Sequence, residues 1–281
     1  MSEGSAFAWF AREGEVCVPQ LLAQSLWSKE QIHGVAVSGL LARSLEAAVR
    51  EAGRGDLRPA RYQVDLFRPA RMVATTARAT VVREGPRLML LDAVVEQEGE
   101  KVARASATFL RAADAPAGTV WAPEDRATPP PAELLPPESE HHVPFFASDS
   151  GWSNNFTDHQ NAGRHATWQT AVPIVLGEEL TPFQAVASIA DTASMTTNWG
   201  AAGVEYINTD INLALSRLPD GIAVGLRATD HVAEDGIAIG VAEVFDRRGS
   251  LGTVSVASLA NTRRSVDFSG AWDGPEGPPG V

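Results

Sequence analysis

The sequence predicts an α+β fold built from two helix-plus-antiparallel-sheet repeats in one chain. Three observations predict it. A segment of helical apolar spacing followed by segments of period-two alternation occurs twice. One offset of 149 residues lays the second occurrence on the first. Arg78-Ala79-Thr80 recurs as Arg227-Ala228-Thr229, and Arg68 falls on Arg217, Ala36 on Ala185, Val95 on Val244 and Ser106 on Ser255. A proline-crowded stretch, Ala112 to Pro144, separates the two.

The elements follow in order. A first strand is expected at Ala6–Val18. Gly34 to Arg50 has the apolar spacing of a helix. In Arg61 to Pro69, Tyr62, Val64 and Leu66 alternate with Arg61, Gln63 and Asp65, which marks a half-buried strand. Strands are expected at Met72–Arg83 and Arg87–Gln97 around the turn Glu84-Gly85-Pro86, and at Lys101–Arg111 after Glu98-Gly99-Glu100. From Ala112 to Pro144 the prolines remove backbone donors and fix φ, so this segment reads as an extended surface linker. The second unit is expected to open with a strand at His165–Leu176. A helix over Pro182–Trp199 follows, with Thr181 as N-cap and Pro182 at the first helical position. Strands near Glu205–Leu218, Gly221–Val232, Gly236–Asp246 and Leu251–Arg263 complete it. The expected domains are therefore 1–111 and 145–269, joined by the linker 112–144, with a tail at 270–281. Each unit alone leaves an open sheet edge and an uncovered helix side, so the two are expected to join edge to edge.

Composition narrows the function. The chain has 281 residues and a formal net charge of −12, and an acidic surface repels nucleic acid and anionic membranes. No run approaches the roughly 20 apolar residues of a membrane span, and no secretory signal is evident at the N-terminus. Cys17 is the only cysteine, which excludes an intrachain disulfide and fits a reducing cytoplasm. His141-His142, His159 and His165 show no paired metal-ligand spacing, so neither metal nor cofactor is expected. A Gly-x-Ser-x-Gly elbow and the glycine patterns of nucleotide sites are also missing.

Three stretches carry a resemblance. LWSKEQIHGVAVSGLLARSLEAA, YQVDLFRPARMVATTARATVVREG and GVEYINTDINLALSRLPDG resemble the double hotdog acyl-CoA thioesterases, over nearly the whole chain apart from linker and tail. The resemblance implies a double hotdog fold and hydrolysis of an acyl-CoA to free acid and CoA. It also implies a carboxylate on the second helix that activates water, a Ser/Thr hydroxyl on the next strand, a glutamine on the last strand, and a backbone N–H opening the facing helix. Mapped here, the carboxylate is Asp191, the hydroxyl position holds Asn208, and the glutamine position falls near Ser258, five residues before Arg263. The family's His-Gly-Gly loop reads His33-Gly34-Val35. The substituted hydroxyl and glutamine leave a second reading open, a non-catalytic acyl-CoA or acyl-chain binding protein of the same fold.

The residues themselves bear on these roles. Asp191 lies mid-helix among small and apolar neighbours, where a carboxylate is costly unless paired, and its counterpart at the 149 offset is Ala42. Only one of the two pseudo-equivalent sites would then react. Simple alternation puts Asn208 on the strand face opposite Ile207 and Ile211 and puts Thr209 on the apolar face. Thr192, adjacent to Asp191, is read as packing. The Gly34 N–H at a helix start suits a developing oxyanion, with His33 as its cap. The acyl chain is expected in a tunnel between the two helices. An assembly of several such chains is left open.

Overall fold

The computed structural model describes residues 7–137, 142–261 and 265–268. Ala6, His141, Arg263 and the tail 270–281 lie outside them. The elements are β1 (Phe10–Glu13), β2 (Val16–Pro19), α1 (Gly34–Glu51), β3 (Leu57–Asp65), β4 (Thr76–Glu84), β5 (Leu88–Gln97) and β6 (Glu100–Arg111) in the first half. The second half holds β7 (Phe145–Ser148), β8 (Gly151–Ser153), β9 (Ala166–Thr170), α2 (Pro182–Ile189), α3 (Ala193–Asn198), β10 (Trp199–Gly200), β11 (Gly203–Val204), β12 (Tyr206–Asn208), β13 (Asp210–Leu215), β14 (Ala223–Glu234), β15 (Ile237–Asp246) and β16 (Gly249–Ala260).

One antiparallel sheet of 12 strands runs β4-β5-β6-β3-β13-β16-β15-β14-β9-β7-β8, with β12 paired to β16. Counted outward from the centre, β3-β6-β5-β4 and β13-β16-β15-β14 are the same order, so each repeat wraps its own helix in one topology. The repeats meet where β3 pairs with β13. Gln63 stands opposite Asn212, its own counterpart at the 149 offset, and its Nε2 donates to Asn212 Oδ1 at 3.0 Å. The helices meet on the same pseudo-twofold axis, where Ser38 Oγ donates to the Ala187 carbonyl at 2.6 Å. Contact there is close. A Cβ on Gly39 would come within 2.3 Å of Ile174 Cδ1 and 3.3 Å of Ser188 Cβ.

The core follows from the predicted alternation. Tyr62 and Val64 point inward with Ile211 and Leu213, and all four pack in one cluster with Leu40, Leu41 and Leu45 of α1. Thr181 Oγ1 caps α2 by accepting from the Gln184 N–H at 3.2 Å. Among the described residues, no helix is long and apolar enough to cross a membrane. Between β6 and β7 the described chain contains one short 3-10 turn, Ala132–Leu134. It is fastened to the outer side of β14 and β15: the Ala127 N–H donates to Glu243 Oε2 at 3.0 Å, and Arg227 pairs with Asp125 at 2.9 Å.

Three local expectations need correction, and one hairpin was not expected. The strand expected at Ala6–Val18 is a hairpin, because Gly14 turns the chain at φ 63°. The strand expected at His165–Leu176 starts one residue later and ends at Thr170, ahead of Pro173, which has no N–H for a ladder. A further hairpin, β7–β8, extends that sheet edge. The helix expected over Pro182–Trp199 is broken. A 3-10 turn at Ala190–Thr192 separates α2 from α3. Thr192 Oγ1 donates to the Ile189 carbonyl at 2.8 Å and Ser188 Oγ to the Ala185 carbonyl at 2.9 Å. Such side chains compete with the helical ladder and bend it.

Candidate active site

The break in the second helix sets the position of Asp191. It lies in the 3-10 turn, 6% exposed, with its carboxylate against the first residue of α1. A Cβ built on Gly34 would sit 2.5 Å from both carboxylate oxygens, so only glycine fits there. At the 149 offset this pair becomes Phe183 and Ala42. Where one repeat places a glycine beside a carboxylate, the other places a buried phenyl ring and a methyl group.

Three groups face the carboxylate. Asn208 Nδ2 donates to Oδ1 at 2.9 Å. His33 Nδ1 lies 3.6 Å from Oδ2, and the Val35 N–H also acts on the carboxylate. Burial raises the Asp191 pKa above the ordinary carboxylate range; charge on His33, present only when that ring is protonated, and hydrogen bonds from Asn208 and the Val35 N–H oppose that rise. Burial lowers the His33 pKa in turn. His33 Nδ1 accepts from the Val35 N–H at 3.1 Å, so the neutral ring carries its proton on Nε2. The Gly34 N–H has no hydrogen-bond partner among the described residues. It is an open donor at the positive end of an 18-residue helix.

Asn208 reaches Asp191 through a bulge. Between β12 and β16, Asn208 stands opposite Ser258; between β13 and β16, Asn212 stands opposite Ser255. The register has slipped by one residue between these pairs. Asp210 fills the irregularity, its Oδ1 accepting from the Ala257 N–H at 2.6 Å. The slip turns Asn208 onto the helix side, against simple alternation. Thr209, expected on the apolar face, instead donates its hydroxyl to the Ala257 carbonyl at 3.1 Å.

The structure does not bring Ser258 to the carboxylate. It is the cross-strand neighbour of Asn208, but its hydroxyl accepts from Asn198 Nδ2 at 3.2 Å, and Asn198 Oδ1 in turn meets His231 Nε2 at 3.1 Å.

Asp191 opens on a cavity of about 110 Å³. His33, Asn208, Gln169, Thr192 and Ser194 supply polar wall, while Trp9, Leu26, Trp27, Ile189, Met195, Val204, Val266 and Phe268 supply apolar wall. Among the described residues the helices touch at the Ser38–Ala187 crossing, and the cavity beside Asp191 is not at that crossing. The cavity lies instead beyond the start of α1, toward β9 and the segment 265–268. Sequence reasoning missed Gln169, whose Nε2 donates to Thr192 Oγ1 at 2.7 Å, and assigned Thr192 to packing. A glutamine in an ordinary strand pattern carries no signal of its own. Among the described residues, no group of three His, Cys, Asp or Glu side chains is placed to hold a metal ion.

Comparisons with known proteins bear on this arrangement. The family model described as the acyl-CoA thioesterase N-terminal domain matches residues 23–110, and that of the C-terminal domain matches 114–256. No curated protein sequence matches. Among solved structures, the chain is similar to the tesB protein of Mycobacterium avium subsp. paratuberculosis (16% identity, TM-score 0.60, covering 89% of this chain and 95% of that one). It is similar to acyl-CoA thioesterase II TesB2 from Mycobacterium marinum (16%, 0.58, 89% and 93%). It is also similar to a hot dog fold protein from Alicyclobacillus acidocaldarius (17%, 0.61, 90% and 95%). At these identities the likeness concerns the fold, and the fold is a double hotdog.

Proposed function

Because the chain belongs to the acyl-CoA thioesterase family, we propose that it hydrolyses acyl-CoA at the cavity beside Asp191 and Gly34, with Asp191 as general base. One observation carries this reading: a buried carboxylate of raised pKa lies against the open N-terminus of α1. Water held by Asp191 gives it a proton and attacks the thioester carbonyl. The charge on the tetrahedral oxygen is stabilised by the Gly34 N–H and the helix dipole. Collapse breaks the C–S bond, and the leaving thiolate recovers the proton from Asp191. Asn208 holds the carboxylate in place from the position where the family resemblance implies a hydroxyl. Ser258 acts one step removed, fixing Asn198 beside the strand that carries Asn208. His33, neutral and tied to the Val35 N–H, shapes the start of the helix. Carbonyl positioning and water activation suffice for a thioester, which has little resonance stabilisation. A cytoplasmic role in lipid metabolism suits this chemistry and the lone thiol of Cys17.

The test is thiol release from a panel of acyl-CoA chain lengths, beside direct binding. Turnover supports hydrolysis. Binding without release favours the acyl-CoA binding reading, which the absence of a glutamine on the last strand, where Ser258 stands, would then explain.

Asn208→Ala is expected to lower turnover at neutral pH by about tenfold. The Asn208 hydrogen bond holds the Asp191 pKa down. Its loss should move the acid limb of the pH–rate profile to higher pH, and an unmoved limb would count against the assigned role.

A further inference from the structure

Part of the cavity's apolar wall is the chain that follows the last strand. Val266 and Phe268 both line it, beside Leu26, Trp27, Met195 and Val204. This strap is fastened by backbone and side chains. The Val204 N–H donates to the Val266 carbonyl at 2.8 Å, and the Val266 N–H donates back at 3.1 Å. The Phe268 N–H donates to Gln160 Oε1 at 2.6 Å, and Gln160 Nε2 donates to Asp267 Oδ1 at 2.8 Å. The Phe268 ring is 1% exposed, stacked on Phe156 at 4.8 Å and 5.0 Å from Trp199. A wall held by these bonds and rings resists displacement by a ligand far better than a tethered surface tail would.

Resting on the reading that this cavity takes the acyl group, we infer that the strap at 265–268 restricts the enzyme to short acyl chains, with Phe268 and Val266 as the specificity-determining residues. The size of the space beside this wall sets the limit. The cavity is about 110 Å³, and a dry cavity of about 150 Å³ accommodates benzene. An acyl group no larger than benzene is therefore the size that fits, and a long fatty acyl chain is not. Each methylene that a closed apolar pocket gains or loses changes discrimination by about tenfold or more. Gln169 and Thr192 add polar atoms to the lining of the same cavity.

The experiment compares kcat/KM for butyryl-, hexanoyl-, decanoyl- and palmitoyl-CoA in the full chain and in two variants. The parent is expected to favour butyryl- or hexanoyl-CoA over palmitoyl-CoA by at least about tenfold. Phe268→Ala is expected to raise the palmitoyl-to-butyryl ratio by at least about tenfold. Val266→Ala keeps the backbone bonds to Val204 and should raise the ratio in the same direction by less. It carries the test if Phe268→Ala fails to fold, as judged by circular dichroism. A parent that hydrolyses palmitoyl-CoA as well as butyryl-CoA overturns the inference, as does an unchanged ratio in folded variants. Failure of the hydrolase reading is a separate result, because the parent would then release no thiol at any length. The ratio is in that case read as dissociation constants for butyryl- and palmitoyl-CoA by calorimetry, with the same reversal expected.

Discussion

Asp191→Asn lowers acyl-CoA turnover by at least about 10²-fold, the lower range for loss of a general base, while acyl-CoA binding persists. Asparagine keeps the size of the side chain, and its Oδ1 still accepts from Asn208, so the loss is chemical. The pH profile gives an independent reading. Hydrolysis needs the carboxylate ionised, so the rate rises with pH through the Asp191 pKa. Burial places that limb above the ordinary carboxylate range. In the variant the limb disappears from whatever residual activity is left.

Stability moves in the opposite direction. Between the ordinary carboxylate pKa and the raised value of Asp191, the folded state holds a proton that the unfolded state has lost. Folding stability therefore falls as pH rises through that window and stays reduced above it. The amide introduced by Asp191→Asn does not titrate, so the variant is expected to melt higher than the parent at pH 7, by about 2–4 °C for each kcal/mol regained. Thermal melts at pH 7 and at pH 4 check this: the gap narrows at the lower pH. A variant less stable than the parent at neutral pH would show that the carboxylate is a structural partner of His33 and Asn208 rather than a buried base.

Gly34→Ala is the second large effect. Alanine ordinarily favours a helix over glycine by about 1 kcal/mol. Here the added methyl would lie 2.5 Å from both oxygens of Asp191, so α1 or the 3-10 turn must move. Overpacking of this kind costs about 1–3 kcal/mol. The same displacement misplaces base and oxyanion donor together, and an error of about 1 Å in such geometry costs roughly 10²-fold in rate. Denaturant melts and kcat/KM measure the two losses. The double variant Gly34→Ala/Asp191→Ala removes the colliding carboxylate, so it should regain stability and stay inactive. Persistent instability in the double variant would place the strain elsewhere.

Much of the architecture is local information and was legible without a structure. Period-two alternation at Tyr62, Val64 and Leu66 fixes which face of β3 is inward. The same register at Ile211, Leu213 and Leu215 fixes β13, and the constant offset makes the two units copies. The offset also singles out Asp191, the one acid where the first helix carries alanine, and Gly34 opens its helix where the second carries phenylalanine. Tertiary structure alone decided how these residues become a site. Thr192 and Ser188 bond backward into their helix and bend it, which aims Asp191 at Gly34. A one-residue slip beside Asp210 turns Asn208 inward, while alternation counts it outward. Sequence periodicity assumes an unbroken period, and both features are breaks in it. The cavity and its strap have a related cause. Gln169, Trp27 and Phe268 are far apart in the chain, and only the tertiary fold brings them around the cavity beside Asp191.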